Sequence, residues 1–166
     1  MSVLLGVATT ACVEEIDHVV VALTADGLDI AHELDTLEIT VTASSNAAGT
    51  ELCEPHTIYY SLDPGDATHI TLPFQLEITP GSIYDKLLYL RVVGKHYGTA
   101  RFKTERAASL AGGDSVLNVS ITADCLGVGT GYGQHCQGGV ATDSPFAAIF
   151  DEGQYVEAGE ACRAPE

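Results

Sequence analysis

The sequence has no tryptophan and a single methionine, so neither a Trp anchor nor a Met-lined adaptable groove carries recognition here. Lysine and arginine are missing from residues 1–85 altogether. The whole chain holds seven of them against 23 Asp and Glu, a formal net charge of −16. A surface of that sign repels phosphate backbones and anionic lipid headgroups, which excludes nucleic acid as an expected partner. Its plain consequence is solubility. No run reaches the roughly 18 to 20 apolar residues that a membrane-crossing helix needs.

Chemical signatures are equally scarce. There is no C-x-x-C, so neither a zinc knuckle nor a thioredoxin-type redox pair is indicated. No G-x-S-x-G, phosphate-loop or EF-hand pattern occurs. The stretch from His32 to Thr36, "HELDT", starts like a zinc-protease motif, but Thr36 stands where the second histidine belongs. "GVGTGYG" lacks the G-x-G-x-x-G spacing and lies between two cysteines rather than between a strand and a helix. Asp26, Asp29, Asp63 and Asp66 sit in turn-forming stretches, where Asp serves the turn itself more simply than it serves calcium. No catalytic residue, cofactor or metal site is expected, and the chain reads as a non-enzyme.

What is present begins with an apolar start, "MSVLLGV", followed by small residues and Cys12. That order matches the second half of a lipoprotein signal: an apolar segment, small residues, then a cysteine that takes the lipid. The match is imperfect at Thr9 and Thr10, and no positively charged segment precedes it, so the expected start codon lies upstream. On this reading residues 1–12 are a signal remnant, Cys12 is the lipidation site, and the partner is a membrane reached through the lipid. The competing reading makes Val3 to Val7 a first edge strand of the mature protein. Cysteine number favours the first: five is odd, and giving Cys12 to lipid leaves four for two disulfides. Both lines point to an oxidising compartment, hence to the cell envelope, outer-membrane-anchored or extracellular.

From residue 16 the pattern has period two, interrupted by turn signals. Val19, Val21 and Leu23 share a face; so do Leu37, Ile39 and Val41, then Ile58, Tyr60 and Leu62. Ile70, Leu72, Phe74, Leu76 and Ile78 form a fourth set, with Pro73 placing that run at a sheet edge or bend. Residues 84–105 read as a hairpin, with Leu88, Leu90 and Val92 inward, Gly94 to Gly98 as its connection and Phe102 on the return. Leu117, Val119 and Ile121 complete the series. About seven strands with one apolar face each are buried most economically as two packed sheets. The fold expected is an all-β sandwich over residues 16–124. Residues 125–166 differ: they are glycine-rich, without alternation, and expected to be an irregular tail held by disulfides.

The tail carries a resemblance. Asp124, Cys125, Leu126, Gly127 and Val128, then Gly133, Gln134, His135 and Cys136, with Gly138 or Gly139 after them, resemble the end of predicted surface lipoproteins and secreted proteins of myxobacteria and related deltaproteobacteria. In that family an Ig-like or transthyretin-like sandwich leads into a four-cysteine tail. Here the family's second cysteine is absent near Gly129 and Thr130, and its fourth is absent near Val140 and Ala141. The resemblance implies that those two were partners, that Cys125 pairs with Cys136, and that Cys53 is left for Cys162. The residues alone leave three pairings of four cysteines open. Closing the Cys125–Cys136 loop contributes about 3 kcal/mol on the chain-entropy model. The resemblance implies location and architecture and brings no activity.

One uneven feature remains. Lys86, Arg91, Lys95, Arg101, Lys103 and Arg106 all fall in or beside one expected hairpin. Tyr89 with Arg91, and Arg101 with Lys103, would make a basic, aromatic-edged stripe able to dock an anionic polymer or the acidic side of another copy. The plainer account is neutralisation by an adjacent acidic strand. Taken together, the sequence reads as a non-catalytic envelope lipoprotein or secreted module acting in binding, adhesion or assembly. The alternatives are a surface-filament subunit that adds its N-terminal segment to a neighbour as a strand, and an enzyme of a type the sequence does not name.

Overall fold

A computed structural model describes residues 19–26, 28–44, 52–53, 55–78, 87–109 and 115–151. The lipidation expected at Cys12 and the partner expected for Cys53, Cys162, lie outside the described residues. The strands are β1 (Val19–Asp26), β2 (Thr36–Ala43), β3 (His56–Ser61), β4 (Phe74–Ile78), β5 (Leu87–His96), β6 (Thr99–Ser109), β7 (Ser115–Thr122), β8 (Gln134–Gln137) and β9 (Val140–Asp143). Among the described residues helix is confined to single turns, α1 (Ile30–Glu33) and α2 (Ala147–Phe150), and a 3-10 turn over Ala123–Cys125.

The first seven strands form the expected sandwich. One sheet has the order β4-β1-β7 and the other β3-β2-β5-β6. β1 runs antiparallel to β4 and parallel to β7, so the first strand of the sandwich lies beside the last. The period-two pattern explains which side faces in. Val19, Val21, Leu23, Val119 and Ile121 of one sheet meet Leu37, Ile39, Leu88, Leu90, Val92 and Phe102 of the other, all buried. Each such side chain contributes about 1.5–3 kcal/mol by leaving water. Pro73 immediately precedes β4, and β4 is an edge strand, as a residue without an N–H requires.

The β5–β6 hairpin corrects one expectation. Its connection is only Tyr97-Gly98, flanked by the His96↔Thr99 pair, with φ of 48° and 76°. A two-residue turn with positive φ at both positions matches the twist of the strands it joins. Gly94 therefore lies inside β5, where a Cβ would stand 2.9 Å from Leu34 Cδ1. Its lack of a side chain makes room for Leu34, fully buried between the sheets.

The tail is stapled by a disulfide as expected, but its described part, to Asp151, is more regular than expected. β8 and β9 pair antiparallel across a Gly138-Gly139 turn, both glycines at positive φ. The Cys125–Cys136 disulfide ties this hairpin to the end of β7, with its Cα atoms 5.7 Å apart and both cysteines buried. Gly127 N–H donates to the Arg101 carbonyl at 2.6 Å, fixing the start of the tail along β6. Cys53 is disulfide-bonded as well.

Candidate functional site

Strand alternation puts Tyr89, Arg91 and Val93 on the outward side of β5. On β6 it places Ala107, Glu105 and Lys103 opposite them. This outward face is not open: the chain from Ser144 to Asp151 lies across it. Phe146 packs on Tyr89 with ring centroids 5.6 Å apart, and Phe150 lies under the Arg91 guanidinium at 4.6 Å. Burial pushes the Tyr89 phenol above its usual range.

Four charges meet beneath that cover. Arg91 Nη2 is 2.7 Å from Glu105 Oε1 and 2.6 Å from Asp151 Oδ1. Lys103 Nζ is 3.5 Å from Asp151 Oδ2 and 3.9 Å from Glu105 Oε1. The Glu105 side chain is fully buried, and Ser144 donates its hydroxyl to Oε2, so both carboxylate oxygens are occupied. Gly133 N–H donates to Asp151 Oδ2 at 2.8 Å. Burial pushes the Asp151 carboxyl up. The Arg91 hydrogen bond, the Gly133 N–H and the charges of Arg91 and Lys103 outweigh that, leaving it below the usual carboxylate range.

The expected docking stripe is corrected accordingly. Tyr89, Arg91 and Lys103 are covered by the chain's own tail, and the charges of Arg91 and Lys103 are neutralised by Glu105 and Asp151. Of the four stripe residues, Arg101 alone is exposed, on β6 opposite the Gly94/Lys95 step of β5 where the register shifts. Neutralisation across the sheet, the plainer expectation, is what Lys95 and Arg91 show; only the contribution of the tail goes beyond it. Glu105 sits on the same hairpin and Asp151 comes from the tail, while the acidic neighbour strand β2 uses Glu38 to hold Lys95, at 2.5 Å.

Beside the covered face lies a cleft of about 540 Å³, where the edge of β6, the edge of β7 and the β8–β9 hairpin meet. Its buried polar lining is Thr104, Glu105 and His135; Arg106, Asp124 and Asp143 are exposed around it. The size falls within that of small-molecule sites. His135 has no hydrogen-bond partner at Nδ1, an uncompensated cost for a buried polar atom. Thr104 Oγ1 already accepts from Arg106 at 2.9 Å. The lining thus offers hydrogen bonds and a mixture of charge signs. Among the described residues no group of three His, Cys, Asp or Glu is placed to hold a metal ion. In the sequence His135 is part of the tail resemblance and one of six scattered histidines, and nothing in its local pattern announces a buried position. No family model, curated protein or solved structure matches the chain.

Proposed function

We propose that this chain is a non-catalytic module of the cell envelope, anchored by lipid at Cys12 or secreted, that binds a partner through the cleft beside its tail. The observation that carries the reading is the disulfide pairing. Cys125 is bonded to Cys136 and Cys53 is bonded too, which is the chemistry of an oxidising compartment. The disulfide serves the cleft directly, because both of its cysteines line it. A non-catalytic role agrees with the state of Glu105: a carboxylate held by Arg91 and Ser144 is committed to structure rather than to proton transfer. The net charge of −16 suits a surface-borne protein kept soluble by its own repulsion.

The test is an intact mass of the native protein, unreduced, with free thiols alkylated. A chain beginning at Cys12, heavier by lipid and without a labelled thiol, is the expected result. A chain with Met1 retained and one labelled thiol would end the lipoprotein reading and leave a secreted protein or filament subunit. Several free thiols among Cys53, Cys125 and Cys136 would remove the basis for export altogether.

A further inference from the structure

Every open sheet has two edges, and each edge strand presents unpaired backbone groups that can accept another strand. Three of the four edges of this sandwich are blunted. β4 is preceded by Pro73 and carries Glu77. β3 is capped at Ser61, whose carbonyl accepts from Ile70 N–H at 2.9 Å, with His69 bridged alongside. β6 carries Arg101, Lys103, Glu105 and Arg106 and has the tail lying along it.

β7 differs. Ser115–Thr122 reads "SVLNVSIT", eight residues with no charge and no proline. Its ladder goes to β1, and among the described residues no strand pairs with its other edge, whose C-terminal residues Ser120 and Thr122 line the cleft and leave room there for an added strand. Val116, Asn118 and Ser120 are exposed on its outward face, Val116 at 60%. In a chain of net charge −16, an eight-residue edge without a carboxylate is a place where two copies can meet without setting like charges opposite each other.

We propose that β7 is a self-pairing edge, joining the β7 of a second copy antiparallel across a two-fold axis. The geometry restricts the register. Directly opposed residues in an antiparallel pair share a face, so a two-fold relation puts a residue, not a gap, on the axis. With Asn118 there, near the middle of the strand, its carboxamide faces its own copy and Val116 faces the partner's Ser120. Leu117 and Val119 then meet on the inner side, and two three-stranded sheets become one continuous sheet. Such an interface is isologous and closes at two copies. It requires no lipid at Cys12 and stands apart from the envelope assignment.

The association carries its own electrostatic sign. The interface is uncharged while the bodies repel, so added salt screens the repulsion and strengthens pairing. A docked basic stripe would weaken with salt instead. The experiment is sedimentation equilibrium of the full chain from about 0.05 to about 0.5 M NaCl, on the parent, Asn118→Lys and Thr24→Lys. Asn118 is exposed at the edge; Thr24 is exposed on the same sheet, but on the central strand β1. Both substitutions lower the net negative charge equally. We expect a dimer that tightens with salt, is weakened at least about tenfold by Asn118→Lys, and is unchanged or tightened by Thr24→Lys. A monomer at every concentration and salt overturns the proposal. So does a dimer that loosens with salt, or one that Thr24→Lys weakens as much as Asn118→Lys.

Discussion

Arg91 and Glu105 stand directly opposite one another on β5 and β6, and Asp151 closes on the same guanidinium from the tail. The strand pairing supplies the first contact, whereas only the course of the tail supplies the second. Because Glu105 is fully buried, its charge has no recourse to water if the arginine is lost. Arg91→Ala should therefore reduce stability by about 3–5 kcal/mol. Arg101→Ala, at an exposed position of the same hairpin, should change it by less than about 0.5 kcal/mol. Urea unfolding of the two variants makes the comparison. A loss below about 1 kcal/mol for Arg91→Ala would mean that the cluster is hydrated in solution and the tail stands off the sheet.

The pH dependence follows from Asp151. Its carboxyl is held below the ordinary value of 3.8 in the folded chain. The carboxylate's contribution is complete above the unfolded value and disappears as pH falls through the depressed folded one. The stability difference between the parent and Asp151→Asn should be constant from neutral pH down to about 5. It should then shrink as pH falls through the ordinary carboxylate value and below it. A difference that stays constant into that acid range would show that the ion pairs do not set the Asp151 titration.

Gly94 and Leu34 give a packing test without charge. A methyl at Gly94 would meet Leu34 Cδ1 at 2.9 Å and Cδ2 at 3.1 Å, so Gly94→Ala should cost about 1–3 kcal/mol by overpacking. Leu34→Ala leaves a cavity and costs about 2–5 kcal/mol alone. In the double variant the new methyl enters vacated space, so the combined loss should fall short of the sum by more than about 0.5 kcal/mol. Additive losses would place the Gly94 requirement in its backbone instead. Gly98→Ala is the contrast: nothing lies within 4 Å of the added carbon, but φ is +76°. Its cost of about 1 kcal/mol is conformational and should not respond to Leu34.

The sandwich was legible because its strands alternate. Val19, Val21 and Leu23, or Leu88, Leu90 and Val92, declare an inner face without any knowledge of what packs on it. Gly94 was misread as part of the turn because a second glycine follows at 98, and a glycine that admits a neighbour's side chain looks the same as one that bends the chain. β8 and β9 were missed because four residues are too few to show a period, and their cue lies in the paired glycines between them. The covering of Tyr89, Arg91 and Lys103 was not legible at all. It depends on where the chain goes after Cys136, and Asp151 carries no local mark of the arginine it meets.

Among the described residues of the tail, the β8–β9 hairpin is held by the Cys125–Cys136 bond and the segment ending at Asp151 by the ion cluster, and the two can be separated. Replacing both cysteines by serine should cost about 3 kcal/mol if the bond acts by restricting the unfolded chain. Amide exchange reports where the loss falls. With the disulfide gone and Asp151 intact, β8 and β9 should open locally, while β1, β2 and β5 keep the protection of the global core. With Asp151→Asn and the disulfide intact, the segment from Ser144 onward should lose protection first and β8 should keep it, because Cys136 still pins that strand to the end of β7. If the two variants open the same amides, hairpin and cover strap form one cooperative unit. Access to the cleft would then require opening the whole tail rather than lifting its last turn.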